Sequence, residues 1–90
     1  CHDPATSFTD VNRGRLHEPS ETGMDPAYAE RTTTGLYRTT PLRGACQHPP
    51  YFHDGSAPTL AAVVEHYDNF LDLNLTAAQK SDLVEYLKSL

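Results

Sequence analysis

Proline and glycine break up the first two thirds of the chain too often for any long element to form there. Asp3-Pro4, Arg13-Gly14, Thr22-Gly23, Asp25-Pro26, Thr40-Pro41, Arg43-Gly44, Pro49-Pro50 and Asp54-Gly55 interrupt residues 3 to 59. Proline fixes φ and glycine admits φ > 0, so each pair turns the backbone, and no strand-length alternation survives between them. A short helical turn is expected at Pro26-Ala27-Tyr28-Ala29-Glu30-Arg31, with Asp25 as cap and Pro26 at the first helical position. The rest reads as ordered loop. So much ordered loop in a short chain suggests a segment wrapped around something.

The last third is different. Leu60, Val63, Val64, Tyr67 and Leu71 recur at helical spacing behind a Thr59 cap, with Glu65, Asp68 and Asn69 on the opposite face. This predicts a helix from about Leu60 to Phe70. A second helix is expected from about Ala77 to Ser89, opened by Thr76 with Gln79 three residues on, the spacing of a capping box. Leu83, Val84, Leu87 and Leu90 form its apolar stripe, and Tyr86 lies beside it. Asp72-Leu73-Asn74-Leu75 is a short link, so the two helices should pack on each other. The fold class expected is all-α, one small domain over residues 1–90 with a C-terminal helical pair.

Ninety residues, 38% of them apolar, make a domain that buries little more than half of its unfolded surface. A cofactor, a crosslink or a partner would help to hold it. Seven basic against twelve acidic residues give a net charge of −5, which argues against nucleic acid as a partner because phosphate binding needs a concentrated positive footprint. The arginines are scattered and form no membrane-surface patch. No run of eighteen apolar residues is present to span a membrane, and no secretory leader is visible. Because the first residue is a cysteine, the chain is expected to be the C-terminal fragment of a longer one.

Chemistry-bearing residues are few. Cys1 and Cys46 allow one disulfide. Alternatively, Cys1-His2 is the second half of a C-x-x-C-H haem attachment sequence whose first cysteine would lie upstream. Met24 is the sole methionine, and His17, His53 and His66 are further donors, although histidines in polar loops are commonly just solvated. No nucleotide fingerprint, H-E-x-x-H helix or G-x-S-x-G elbow occurs.

The densest tract runs Tyr37-Arg38-Thr39-Thr40-Pro41-Leu42-Arg43-Gly44, then Pro50-Tyr51-Phe52-His53-Asp54-Gly55-Ser56, then Thr59-Leu60 and Val63-Val64-Glu65-His66-Tyr67-Asp68. With Leu75-Thr76, Asp82 to Leu90, Cys1-His2 and Phe8-Thr9-Asp10, it resembles the C-terminal haem domain of the bacterial di-haem cytochrome c peroxidases and the related MauG proteins. That resemblance spans nearly the whole chain and is weakest between Asn12 and Gly35. It implies a cytochrome c-like domain carrying one haem c, with Cys1 in a thioether and His2 as the proximal iron ligand. Tyr67 or Met24 would be the distal ligand. Arg38 and Arg43 would pair with haem propionates, and His53 would lie near the haem. Cys46 departs from the family, which often has an apolar or aromatic residue near this position.

The function this implies is single-electron transfer, as the electron-transfer domain of a peroxidase-like oxidoreductase whose reactive haem lies elsewhere in the parent chain. Its expected partners are the rest of the parent chain or an N-terminal haem domain, and a redox protein. Its expected location is the bacterial periplasm or cell exterior. A stand-alone electron carrier, a subunit of a multi-haem assembly and a haem-free structural helical domain are the alternatives.

Overall fold

The turn-rich part of the chain resolves into single turns of 3-10 helix. In the computed structural model, which describes all ninety residues, these are Pro4–Thr6, Val11–Arg13, Pro19–Glu21, Ala29–Arg31 and Ala45–Gln47. Two α-helices follow, α1 (Leu60–Leu71) and α2 (Ala77–Ser89), packed against each other. There is no sheet, only isolated antiparallel bridges between His17 and Tyr37 and between Tyr51 and Ala57. The all-α expectation and the helical pair therefore stand. The chain divides into two compact units, Cys1–Arg43 and Gly44–Leu90.

The first unit is held mainly by backbone turns. Asp3 caps the Pro4–Thr6 turn through its carboxylate, which accepts the Ala5 N–H, and its carbonyl accepts the Phe8 N–H at 2.9 Å. Ser7 and Phe8 both adopt left-handed backbone conformations, φ 60° and 59°, unusual for a residue as bulky as phenylalanine. That reversal puts the Phe8 ring inside, where the Arg43 guanidinium lies over it at 5.6 Å. Ala29 and Tyr37 complete the buried apolar set, alongside buried Thr9, Asp10 and Thr39. The expected helical turn at 26–31 is present as the 3-10 turn Ala29–Arg31, preceded by an Asp25 carboxylate that accepts the Ala27 N–H. So small an apolar set provides a modest hydrophobic contribution.

In the second unit, α1 starts where expected. The Thr59 hydroxyl accepts the Ala62 N–H, and Leu60 and Val64 are buried. α2 opens with the full reciprocal capping box of Thr76 and Gln79. The faces differ from the helical-wheel reading. Asp68, expected on the polar face, is buried, while Leu71, expected on the apolar stripe, is 53% exposed. The reason lies in the link: the Asp68 carboxylate accepts the Leu75 N–H at 2.9 Å and pairs with Lys80 at 2.8 Å. Its carbonyl also accepts the Leu73 N–H. Asp68 thus satisfies donors that the turn between helices would otherwise leave bare. Leu83 and Tyr86 also face outward, leaving Val84, Leu87 and Leu90 half-buried.

The loop before α1 is closed by the Tyr51–Ala57 bridge and by Gly55, at φ +70°, where a Cβ would sit 3.2 Å from the Pro50 ring. A side chain there would be strained on both counts. Neither α1 nor α2 is long and apolar enough to cross a membrane.

Candidate metal centre

Three chemically distinct donors from separate turns of the first unit converge. The Sγ of Cys1, a carboxylate oxygen of Asp10 and a ring nitrogen of His17 all lie within 4.8 Å of one another. Cys1 is exposed, Asp10 is 4% exposed and His17 is half-buried, so the cluster has one open side and two walled ones.

The backbone explains why these residues meet. His17 is pinned to Tyr37 by reciprocal N–H to carbonyl bonds of 2.8 Å each. Tyr37 is fixed in turn, because its hydroxyl donates to the Asp25 carbonyl at 2.7 Å and accepts the Ala29 N–H at 3.1 Å. Asp10 precedes the Val11–Arg13 turn, whose Arg13 N–H it accepts, and its neighbour Thr9 donates to the Thr39 carbonyl. Cys1 is drawn in by the turn that Asp3 and Thr6 close, the Thr6 hydroxyl donating to the Thr9 carbonyl at 2.6 Å.

The His17 imidazole lies between two carboxylates. Its Nε2 is 2.7 Å from Asp10 Oδ2 and its Nδ1 is 2.6 Å from Glu21 Oε2. Hydrogen bonding to Glu21, then to Asp10, raises the pKa of His17 above its ordinary value, against the opposing effect of burial. For Asp10, burial opposes ionisation but is outweighed by the side chains of Thr39 and His17, and its pKa is lowered. Asp10 Oδ1 is buried and has no partner within hydrogen-bonding geometry. An unpaired buried carboxylate oxygen is costly.

The sulfur–nitrogen distance is that found around a tetrahedral ion. Metal–ligand bonds of about 2.3 Å to sulfur and about 2.05 Å to nitrogen place those two atoms about 3.5 Å apart at the tetrahedral angle. Cys1 Sγ lies 3.6 Å from His17 Nε2, although at 4.0 Å from Nδ1 it stands beside the ring, and an ion on Nε2 would require the thiol to swing toward it. The 2.7 Å separation of Nε2 and Asp10 Oδ2 is that of a hydrogen bond and would open to about 3.4 Å around an ion. Glu21 holds the remaining ring nitrogen, the arrangement by which a carboxylate orients a metal-binding histidine.

The other candidate residues do not join this cluster. His2, expected as a ligand, instead directs Nδ1 at the Phe8 carbonyl at 2.7 Å. Met24 lines a shallow groove with Glu18, Pro19, Pro26 and Leu36. Arg38 is exposed, and Arg43 is occupied by the Phe8 ring. His53 and Tyr67 belong to the second unit. His53 is exposed in the loop closed by the Tyr51–Ala57 bridge, and Tyr67 is half-buried with its ring 5.9 Å from that of Phe52 and 5.2 Å from that of His66. Burial raises the Tyr67 phenol pKa. Cys46 does not pair with Cys1: both thiols are free, and Cys46 faces the Lys88 carbonyl at 3.7 Å.

Sequence reading isolated Cys1 and weighed His17 only as one of several loop histidines. It did not single out Glu21, and Asp10 entered only within a longer tract. The H-x-x-x-E spacing of His17 and Glu21 was the available signal; nothing local joins either residue to Cys1.

The haem reading is overturned by this arrangement. The chain contains no C-x-x-C-H, its two cysteines lie in different units, and the Cys1 thiol belongs to a cysteine–aspartate–histidine cluster rather than to a haem attachment pair. The expected haem c, its iron, the cytochrome c-like fold and the electron-transfer and peroxidase-like roles are corrected accordingly. No protein-family model, curated protein or solved structure matches the chain, so the resemblance to the di-haem peroxidases has no support outside the motifs themselves.

Proposed function

We propose that this protein binds one divalent transition-metal ion, zinc by preference, through Cys1 Sγ, Asp10 Oδ2 and His17 Nε2. The observation that carries the reading is the convergence of the three donors, with sulfur and nitrogen 3.6 Å apart. The donor set matches a borderline-soft ion. Thiolate and imidazole disfavour magnesium and calcium, which prefer oxygen, and a single thiolate with a carboxylate is a poor match for copper(I) or an iron–sulfur cluster.

Binding would also compensate for the thin apolar core of Cys1–Arg43. An ion that binds only the folded state stabilises it by about 2.7 kcal/mol at a hundredfold excess over its dissociation constant.

The test is titration with cobalt(II), followed by displacement with zinc. A thiolate-to-cobalt charge-transfer band that saturates at one equivalent is expected, absent in Cys1→Ser and greatly weakened in His17→Ala. Circular dichroism of the metal-free variants establishes that they fold. A band unchanged in folded Cys1→Ser, or no band at all, would overturn the reading.

A further inference from the structure

The antiparallel bridge that holds His17 to Tyr37 also shapes a groove. Glu18 follows one bridge partner and Leu36 precedes the other, so the pairing sets these two residues opposite each other. Both line a groove of about 450 Å³, the size of a small-ligand site, together with Pro19, Met24 and Pro26. All of its lining belongs to the first unit. The walls are held before any ligand binds. Pro19 and Pro26 are rigid rings, the Met24 N–H donates to the Pro19 carbonyl at 2.9 Å, and the Gly35 and Leu36 N–H groups donate to the hydroxyls of Thr32 and Thr34. Met24 supplies the adaptable part, an unbranched thioether that fits irregular apolar shapes.

The same bonds decide what the groove can recognise. An anion or a peptide main chain needs N–H donors, and these are missing at the two prolines and already used at Met24, Gly35 and Leu36. What remains is an apolar lining and one charge. Glu18 is the sole ionisable residue of the lining, and its exposed carboxylate joins none of the ion pairs of the protein. Residues 18–30 carry Glu18, Glu21, Asp25 and Glu30 and no lysine or arginine. His17, beside Glu18, is enclosed by the carboxylates of Asp10 and Glu21, which outweigh its charge even when it is protonated. Arg31 is turned over the Tyr28 ring. A cation entering the groove is therefore attracted, and a carboxylate is repelled.

We propose that this groove binds a small organic amine of the arylalkylammonium class, its apolar body on Pro19, Met24 and Leu36 and its ammonium on the Glu18 carboxylate. The binding does not depend on an ion at the Cys1 cluster.

Met24 is the only methionine, so its methyl group gives a single resonance at the groove itself. The protein, labelled at the methionine methyl, is titrated with phenethylammonium, with hydrocinnamate as the anion of similar shape, and with methylammonium as a cation without an apolar body. The expected result is a saturable shift of the Met24 methyl with phenethylammonium, each of the other two being about tenfold weaker or more. Glu18→Gln should narrow the preference for the amine over the anion to about threefold or less, the scale of an exposed ion pair. Glu30→Gln removes the same charge outside the groove lining and should leave that preference unchanged. Amide spectra of both variants establish that they fold. No saturable shift, an equal response to hydrocinnamate or methylammonium, or a preference that survives in Glu18→Gln would overturn the proposal. So would a Met24 methyl that moves on dilution alone, which would place a second copy of the chain in the groove.

Discussion

The Glu21 carboxylate accepts the Nδ1–H of His17 at 2.6 Å, four residues along the chain, and leaves Nε2 to Asp10. Carboxylates in this position hold the histidine tautomer and raise its basicity, and their loss commonly costs between tenfold and a hundredfold in metal affinity. Glu21 is about half exposed, with 52% of its side chain open to solvent, so water screens part of its effect. We expect Glu21→Gln to weaken zinc binding by about tenfold, the lower end of that range. Competition against a chromophoric chelator measures it. Unchanged affinity would mean that Glu21 does not orient the ring.

Tyr37 supports the site from behind. Its backbone pairs with His17, whereas its hydroxyl bridges the Asp25 carbonyl and the N–H of fully buried Ala29. Tyr37→Phe keeps the ring and the backbone bridge but leaves the Ala29 donor unpaired, a loss of about 1–3 kcal/mol. Denaturant unfolding should show that loss while zinc affinity stays within about twofold, because the His17 main chain is held independently. A matching fall in affinity would show that the hydroxyl network, not the backbone bridge, positions the histidine.

The α-helices were legible because their signals are local: caps at Thr59 and Thr76, and apolar residues at helical spacing. The faces were less so. Asp68 and Leu71 exchange the places a helical wheel assigns them, since the wheel cannot register that Asp68 must satisfy the Leu75 N–H across the turn. In the first unit the site depends on non-local pairing. Cys1 and His17 are sixteen residues apart, and the His17–Tyr37 bridge that positions the imidazole spans a still longer loop. Neither separation has a periodicity to read. Cys1-His2 was misread for the same reason: adjacency suggested a shared ligand pair, whereas the backbone turns His2 to the Phe8 carbonyl and Cys1 to His17.

The Thr76 cap bears more weight than most. α2 turns Leu83 and Tyr86 outward, at 40% and 49% exposure, and so gains little from burial there. A short helix with thin packing depends on its end interactions. Thr76→Ala removes the hydroxyl that accepts the Gln79 N–H and disrupts the capping box, with an expected loss of about 1 kcal/mol. Urea unfolding followed by helical circular dichroism tests this. No shift in midpoint would mean that packing against α1, not the cap, sets the stability of α2.

The Asp68–Lys80 pair gives the second unit a pH signature that can be separated by mutation. The Leu75 N–H, then Lys80, hold the Asp68 carboxyl below its ordinary value of 3.8 despite burial. Asp68 and Glu65 hold the Lys80 ammonium above 10.5. A lowered carboxyl pKa contributes stability that is present above pH 3.8 and lost as pH falls through the folded value. A raised ammonium pKa contributes stability present below pH 10.5 and lost as pH rises through its folded value. In Lys80→Met the ammonium contribution disappears, while the larger acid-side effect survives because the Leu75 N–H remains. The melting-temperature difference between the unaltered protein and Lys80→Met should therefore be greatest between these limits and close as pH rises above 10.5. Thermal melts across that range measure it, and a difference that stays constant into strong alkali would show that Lys80 contributes through its aliphatic stem rather than its charge.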